Sequence, residues 1–287
     1  MTRHTILVLG ASGMLGNAVL RYFATQTEHD VVGIVRSAGS ARLLPEDLQD
    51  RIAMGGDVDD VDALVRMFDR HRPSVVVNCV GLVKQLGDAN DPLAAIPINA
   101  VLPHRLARLC SLAGARLVHL STDCVFTGDK GMYREDDIPD AQDVYGRTKL
   151  LGEVDYPHAL TLRTSIIGHE LASHHSLICW FLSQQNAVRG FSQAIFSGLP
   201  TVEIARVIDK YVLDRPELHG LYHLSAEPID KFSLLQLVAK TYGKEIEITD
   251  DSALVIDRSL DSTRFRSATG YRPEPWMDLV RGMHEFR

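Results

Sequence analysis

Tyr145 and Lys149 are four residues apart and could form an acid–base pair if the segment that carries them is helical. Residues at this spacing lie on one face of a helix, so the lysine ammonium can stand close to the phenol. A phenol with its ordinary pKa of about 10 exchanges protons poorly at neutral pH, and a neighbouring cation lowers that pKa. The pair therefore predicts general acid–base chemistry, with an ordinary exposed helix pair as the alternative.

The segment Ser121-Thr122-Asp123 comes earlier in the chain, directly after a strand predicted at 116–120. Ligands of doubly wound sheets bind beyond the carboxyl ends of the strands. We therefore predict that Thr122 lies close to Tyr145 and hydrogen-bonds an oxygen of the substrate.

A glycine-rich segment near the N-terminus indicates where a dinucleotide would bind. Its spacing is G-x-x-G-x-x-G, between a strand predicted at 5–9 and a helix predicted at 14–24. Glycine lets the backbone turn tightly and approach a pyrophosphate, and the amides at the start of the helix supply partial positive charge. The predicted cofactor contacts of this segment are Gly10, Ser12, Gly13, Met14, Leu15 and Gly16.

The end of the second predicted strand, at 31–35, bears on which nicotinamide cofactor is used. An acidic residue there would accept a hydrogen bond from the ribose 2′-hydroxyl of NAD. Arg36 stands there instead, with Arg42 nearby, and a guanidinium suits the 2′-phosphate of NADP. We predict NADP(H), with NAD(H) as the alternative if Arg36 is only a solvated residue at a strand end.

A nicotinamide cofactor gives the acid–base pair a definite reaction. Tyr145 would donate a proton to a carbonyl oxygen as hydride arrives from the nicotinamide, and Thr122 would orient that oxygen. Lys149 would lower the pKa of the tyrosine and hold the nicotinamide ribose. The pattern predicts a carbonyl reductase.

Alternating strand-like and helix-like segments predict an α/β fold of Rossmann type, with a doubly wound parallel sheet. Further strands are predicted at 51–54, 74–79, 160–167, 220–224 and 246–248, and further helices at 59–70, 92–113, 177–182, 202–213, 232–242 and from about 276. We predict a cofactor-binding core over residues 1–168, to which residues from about 201 to 226 return. A smaller substrate-binding lobe would comprise 169–200 and 227–287.

Composition disfavours several other functions. The net charge of −7 argues against nucleic-acid binding, which needs a basic face. No segment approaches the ~20 apolar residues that span a bilayer, and no signal-peptide pattern is seen. The four cysteines form no C-x-x-C pair, so a cytoplasmic protein with reduced thiols and no membrane attachment is expected. The local histidine group at 169, 174 and 175 lacks zinc-site spacing, so no metal is expected.

Six short motifs are spread over the chain: Ser-Thr-Asp-Cys-Val-Phe at 121–126, Val-Tyr-Gly-Arg-Thr-Lys at 144–149, Gly-Glu at 152–153, Leu-Arg-Thr-Ser at 162–165, Gly-Leu-Tyr-His-Leu at 220–224 and Leu-Asp-Ser-Thr at 260–263. Through these motifs the sequence resembles, over nearly its whole length, the extended short-chain dehydrogenases and reductases, and within them the dTDP-4-dehydrorhamnose reductase branch. The resemblance implies a nucleotide-sugar substrate and a deoxysugar product for a cell-surface polysaccharide. It also implies that Asp123 helps Thr122 to hold the sugar. Cofactor contacts that it implies are Asp57 and Val58 at the adenine, and Asn78, Val80 and Gly81 beside the cofactor.

Departures from the family pattern bear on the reaction and the substrate. Dehydratases of the superfamily carry glutamate where this chain has Cys124, so reduction of a 4-keto group is expected and dehydration is not, while epimerisation stays open. The segments 81–88 and 139–143 differ from those that face the sugar in the family, so we expect a 4-keto-6-deoxy sugar nucleotide of unspecified identity. Candidate ligands of its diphosphate are Arg258, then Arg189 and Lys84, with an ordinary surface position as the alternative for each.

Two other classes of function stay open. The regulatory subunit of methionine adenosyltransferase resembles the same reductases, so a fold alone does not establish turnover. The intact set of Thr122, Tyr145 and Lys149 favours an enzyme, and the acidic composition disfavours an RNA-associated relative. A homodimer through the helix at 92–113 is the alternative to packing of its apolar stripe on the sheet.

Overall fold

The first half of the chain alternates strands and helices, as its sequence predicts. The computed structural model describes residues 2–82 and 90–287. Elements of the first half are β1 (Thr5–Leu9), α1 (Met14–Gln26), β2 (Asp30–Val35), α2 (Ala38–Ala41), β3 (Ile52–Met54), α3 (Val61–His71), β4 (Val75–Asn78), α4 (Pro92–Ala95), α5 (Leu102–Ala113), β5 (Arg116–Thr122) and α6 (Val144–Leu151). A π-helical segment, Ile96–Val101, joins α4 to α5.

The second half contains shorter elements. They are β6 (Ala159–Thr164), β7 (Ile166–Ile167), α7 (Leu177–Ser183), β8 (Val188–Phe191), β9 (Ala194–Phe196), β10 (Leu199–Pro200), α8 (Thr201–Val207), β11 (Gly220–His223), β12 (Ile229–Asp230), α9 (Lys231–Tyr242), β13 (Ile248–Asp251), β14 (Ile256–Asp257), α10 (Thr263–Thr269) and α11 (Trp276–Glu285). A second π-helical segment, Ile208–Val212, continues α8.

A seven-stranded sheet in the order β11-β6-β5-β4-β1-β2-β3 forms the centre of the fold, and every pairing in it is parallel. The chain order reverses between β1 and β4, which are neighbours in the sheet. Because all strands run the same way, their carboxyl ends meet at one edge, and the crevice at a reversal is where such sheets bind ligands. The predicted Rossmann-type fold is confirmed.

Side chains of β1 explain why its sequence is almost purely aliphatic. Ile6 and Val8 belong to the apolar cluster on one face of the sheet, which also contains residues of α1 and α8. Leu7 and Leu9 belong to the cluster on the other face, with residues of α3 and α5. A strand covered by helices on both sides has no face left for polar side chains.

Residues 2–82 and 90–287 also form three small sheets outside the central one, with the orders β12-β9-β14, β13-β8 and β10-β7. The prediction of a single strand at 160–167 was wrong, because this stretch forms two strands. β6 pairs with β5 and β11, whereas β7 pairs with β10. Both pieces are mostly buried, so hydropathy does not reveal the break between them. The strand predicted at 246–248 instead begins at Ile248 and extends to Asp251.

The last two helices pack against two apolar clusters. Phe265 of α10 and Leu279 of α11 belong to the cluster that contains α1 and α8. Val280 and Met283 of α11 belong to a third cluster, with residues of α7 and α9. Helix α11 therefore connects the packing of the central sheet with that of the small sheets. In the two stretches that the structure describes, no helix is both long and apolar enough to cross a membrane.

Candidate active site

Helix α6 places Tyr145 and Lys149 on one face, as their spacing predicts. The carboxylate of Asp143 caps the helix by accepting a 2.7 Å hydrogen bond from the amide of Gly146. Both side chains are buried, with 9% of Tyr145 and 5% of Lys149 exposed. The helix thus directs a phenol and an ammonium into the protein.

The carboxyl end of β5 meets this face of α6. The ammonium of Lys149 donates a 2.7 Å hydrogen bond to the carbonyl oxygen of Leu120. The side chain of Thr122, the last residue of β5, hydrogen-bonds that of Tyr145. The Thr122 hydroxyl also donates to Oδ1 of Asp123 at 3.2 Å and accepts from the amide of Cys124 at 3.1 Å. The structure therefore brings Thr122, Tyr145 and Lys149 together at the ligand-binding edge of the sheet.

Burial dominates the electrostatics of this group. It raises the pKa of Tyr145 well above the ordinary value, and nearby Cys124 adds to the rise, while the hydrogen bond with Thr122 opposes it. Burial lowers the pKa of Lys149 to about 8, against the opposing influence of Glu153 and Cys79. In the protein alone the pKa of Tyr145 is thus raised, contrary to the lowering predicted from Lys149. A phenol with a raised pKa stays protonated at neutral pH, but it is a weaker acid than an ordinary phenol.

Asn99 holds the loop after β4 against α6, and sequence analysis did not identify it. Its side-chain amide donates to the hydroxyl of Thr148 at 3.4 Å and to the carbonyl oxygen of Leu82 at 3.3 Å, and its oxygen accepts from the Leu82 amide at 2.9 Å. A Cβ atom added to Gly81 would lie 3.9 Å from Nζ of Lys149. A buried asparagine within an apolar helical stretch was the signal that could have revealed it.

The glycine-rich turn has the geometry of a phosphate cradle. Gly10 has a φ of +76°, in the left-handed region that favours glycine, and its carbonyl oxygen accepts a 2.9 Å hydrogen bond from the amide of Gly13. A Cβ atom on Gly16 would overlap that carbonyl oxygen. Gly13 precedes α1 without a side-chain cap, so the first amides of the helix have no capping acceptor from that residue. Ser12 and Met14 are half-buried, whereas the Leu15 side chain is in the core and leaves only its backbone for a ligand.

The residues predicted to contact the adenosine half lie around the same edge. Arg36 is exposed at the end of β2. Asp57 is exposed after β3 and accepts a 3.1 Å hydrogen bond from the amide of Asp59, and Val58 packs against the core.

Asn78 ends β4 and fixes the start of the loop that follows. It is fully buried, and its side-chain oxygen accepts from the amide of Val80 at 3.1 Å. Its amide nitrogen donates to Nδ1 of His119 at 3.1 Å. Val80 is thereby held beside Gly10, and Gly81 beside Lys149.

Asp123 and Arg258 lie together beside the acid–base groups of β5 and α6. Burial raises the pKa of Asp123, and the charge of Arg258 opposes the rise. Arg258 donates from Nε to the carbonyl oxygen of Phe126 at 2.9 Å and from Nη1 to the sulfur of Cys124 at 3.8 Å. Arg258, a predicted substrate residue, therefore packs against the loop that follows Thr122.

Lys231 joins this group and was missed by sequence analysis. Burial lowers its pKa, Asp123 opposes that effect and Arg258 adds to it, so the three charged groups lie close to one another. Lys231 is the first residue of α9. A cation is unfavourable at the positive end of a helix dipole, and this placement was the signal that could have been noticed.

No described contact brings Arg189 to the site. Arg189 is exposed on β8 and forms an ion pair with Asp251 at 3.0 Å. Lys84 lies outside the described residues. Their roles toward a diphosphate stay predictions.

Comparison with known proteins agrees with the architecture and the motifs. Residues 4–281 match the sequence model of the family described as the RmlD substrate binding domain. A probable low-salt glycan biosynthesis reductase of Haloferax volcanii is 34% identical over 165 residues, covering 56% of this chain and 52% of that protein. The match thus spans about half the length of that relative. Methionine adenosyltransferase 2 subunit beta of Xenopus tropicalis is 28% identical over 290 residues, covering 94% of this chain and 78% of that protein.

The fold has counterparts among solved structures. A dTDP-4-dehydrorhamnose reductase of Bacillus anthracis, in complex with NADP, aligns with a TM-score of 0.80 over 99% of each chain at 19% identity. At this identity the likeness concerns the fold alone. The family match, in contrast, extends over nearly the whole sequence and includes the motifs around Thr122 and Tyr145, so the chain belongs to the family of the RmlD substrate-binding domain.

Proposed function

We propose that the protein uses NADPH to reduce the 4-keto group of a nucleotide-linked 6-deoxy sugar, and so supplies a deoxysugar for cell-surface polysaccharide. One observation carries the proposal. Thr122 and Tyr145 are hydrogen-bonded to each other, with Lys149 beside them, at the carboxyl edge of a parallel sheet. A glycine-rich phosphate cradle lies at the same edge, after β1.

The residues of this chain would divide the reaction among themselves. A bound nicotinamide supplies the hydride. The phenol of Tyr145 donates its proton to the carbonyl oxygen of the sugar, and the Thr122 hydroxyl orients that oxygen. Lys149 lies where it can hold the nicotinamide ribose and add positive charge behind the phenol. Asp123 accepts from the sugar hydroxyls, while Arg258 and Lys231 bind anionic oxygens of the substrate.

NADP(H) is the cofactor that the residues favour. Arg36 is exposed at the end of β2, where an acidic residue would select NAD. The similarly folded reductase of Bacillus anthracis was solved with NADP. NAD(H) is the alternative. The cofactor would occupy the core formed by residues 1–168 and about 201–226, with 169–200 and 227–287 closing over the substrate.

A regulatory subunit without turnover is the second candidate function. It is favoured by the likeness to methionine adenosyltransferase 2 subunit beta over 94% of this chain. Against it stands the intact set of acid–base groups, which binding alone does not require. Epimerisation would use the same groups and is distinguished by its lack of net cofactor oxidation.

The test follows NADPH absorbance with purified protein and dTDP-4-dehydro-6-deoxy-L-mannose, beside Tyr145→Phe. We expect consumption by the wild type and a loss of about 10²–10⁴-fold in the variant, with NADPH binding retained. If NADPH binds but is never oxidised with dTDP-, GDP- or UDP-linked keto sugars, the reductase proposal is wrong and the regulatory function takes its place.

We also propose that the protein forms a homodimer through the helical stretch 92–113. Leu106 and Cys110 of this stretch pack on the sheet, but Leu93 and Leu112 are each 86% exposed. Light scattering of the purified protein tests this, and a monomeric mass that persists at high concentration would contradict it.

A further inference from the structure

Glu153, two residues beyond α6, is bonded to two strands of the central sheet. Its Oε1 accepts hydrogen bonds from the hydroxyl of Ser121 on β5 at 2.7 Å and from Nε of Arg163 on β6 at 2.9 Å. Its Oε2 accepts from Nη2 of Arg163 at 2.6 Å. The Arg163 side chain is only 1% exposed. This is a bidentate pair in a position where water cannot compete with it.

Arg163 is itself fixed by its surroundings. Nη1 lies 2.9 Å from Nε2 of His223, and Nδ1 of His223 lies 2.9 Å from the carbonyl oxygen of Tyr133. A carbonyl can only accept, so Nδ1 carries the proton and Nε2 accepts from Arg163. Burial and the Arg163 charge lower the pKa of His223 to about 3, so this arrangement is maintained at neutral pH.

Three consecutive residues at the end of β5 each bond to the segment that contains α6. The Leu120 carbonyl accepts from Lys149, the Ser121 hydroxyl donates to Glu153, and Thr122 bonds to Tyr145. The three partners on the helical side, Tyr145, Lys149 and Glu153, follow one another at intervals of four residues. The middle contact is the one that uses none of the three groups assigned to the reaction.

We infer that Glu153 is a positioning residue that sets where Tyr145 and Lys149 stand relative to Thr122, through its bonds to Ser121 and Arg163. The inference rests on the proposed reductase function. Arg163 anchors the Glu153 carboxylate to the neighbouring strand. The Ser121 hydroxyl then ties that carboxylate to β5, one residue before Thr122. Because small misplacements of reacting groups cost large factors in rate, loosening this contact slows the reaction without removing any group that touches substrate.

The first test compares two buried hydroxyls that bond to adjacent residues. Ser121→Ala removes the bond to Glu153, whereas Thr161→Val removes bonds to the backbone of Val154. We expect kcat to fall about tenfold in Ser121→Ala and less than about twofold in Thr161→Val, with NADPH affinity unchanged in both. Equal kcat values for the two variants would overturn the inference.

The second test separates the position of the carboxylate from its charge. Glu153→Asp keeps the charge but shortens the reach, so we expect a lower kcat with an unchanged pH profile. Glu153→Gln alone leaves Arg163 buried without its partner and can unfold the protein, so it is combined with Arg163→Met. Since Glu153 raises the pKa of Lys149, the double variant should lose activity at lower pH than the wild type.

Failure of the inference can be distinguished from failure of the proposed function. If the wild type oxidises NADPH but Glu153→Asp retains the wild-type kcat, Glu153 has no positioning role. If the wild type is inactive with every keto sugar, the reductase proposal fails. The inference is then tested by NMR of the Lys149 side chain in ¹⁵N-lysine protein, where a chemical shift left unchanged by Glu153→Asp overturns it.

Discussion

The ammonium of Lys149 lies 2.7 Å from the carbonyl oxygen of Leu120, one turn of α6 beyond Tyr145 and shielded from water. This bond fixes the cation beside the phenol before any ligand arrives. It also places a titrating group with a pKa of about 8 inside the site.

The rate of NADPH oxidation should therefore depend on pH through Lys149. Burial favours the neutral amine, so the lysine is charged below about pH 8 and neutral above it. We expect the rate to be high below this pH and to fall as pH rises through it. Lys149→Arg keeps a cation that does not titrate in this range, so the variant should be slower overall but should lose the fall near pH 8. A pH–rate profile measures both, and an identical fall in the variant would assign the titration to another group.

Replacement of Arg36 should change the preference for the cofactor. Arg36→Asp removes a donor for the 2′-phosphate and adds an acceptor for a 2′-hydroxyl. A charge-assisted hydrogen bond contributes about 1.5–3 kcal/mol, so the KM for NADPH should rise at least about tenfold while that for NADH falls. Arg70→Asp, the same charge change on the exposed side of α3, is the control and should leave both constants alone. Steady-state kinetics with each cofactor measures both KM values, and an unchanged KM for NADPH in Arg36→Asp would contradict a role of Arg36 at the 2′-phosphate.

Gly16→Ala should weaken NADPH binding and destabilise the protein. The added Cβ atom would overlap the carbonyl oxygen of Gly10, and that backbone cannot move without opening the turn. Overpacking of this kind costs about 1–3 kcal/mol. Gly282→Ala on α11 is the matched control, because its Cβ meets no atom within 4 Å and helix propensity should stabilise it by about 0.5–1 kcal/mol. Thermal unfolding with and without NADPH measures these effects, and a Gly16→Ala protein that binds NADPH normally would exclude the cradle.

Lys231→Gln should raise the KM for the nucleotide sugar about tenfold and leave kcat and NADPH affinity nearly unchanged. The reason is its position among Asp123 and Arg258, where it adds a second cation to a site with one carboxylate. Lys240→Gln on the exposed side of the same helix should have no effect. Calorimetry with dTDP alone locates the contact: a weaker affinity in Lys231→Gln places it at the diphosphate, and an unchanged one places it at the sugar. An unaltered KM would show that Lys231 does not bind the substrate.

The inner strands β1 and β4 of the central sheet were predictable because each is a buried aliphatic run. Thr5–Leu9 was predicted with its true bounds, since its aliphatic run ends at Gly10. The small sheets escaped prediction because strands such as Ile229–Asp230 and Ile256–Asp257 contain two residues each and show no periodicity. Their pairing is decided by contacts across the chain and not by local sequence.

The same reasoning applies to the site. The spacing of Tyr145 and Lys149 suffices to place both on one face of a helix, and the strand before Thr122 suffices to place it at the sheet edge. Lys231 could not be found this way, because its position relative to Arg258 is set by the register of β12 on β9 and of β14 on β9. The raised pKa of Tyr145 was also beyond sequence, since it depends on how deeply the phenol is buried.

Lys231 comes directly after β12 and Arg258 directly after β14, the two outer strands of the three-stranded sheet β12-β9-β14. The acid–base groups belong instead to α6 and β5. Substitutions in this small sheet can therefore change which ligand is held without disturbing proton transfer. Under the proposed function, the sugar that the protein accepts would be set by one small sheet and its redox chemistry by another part of the fold.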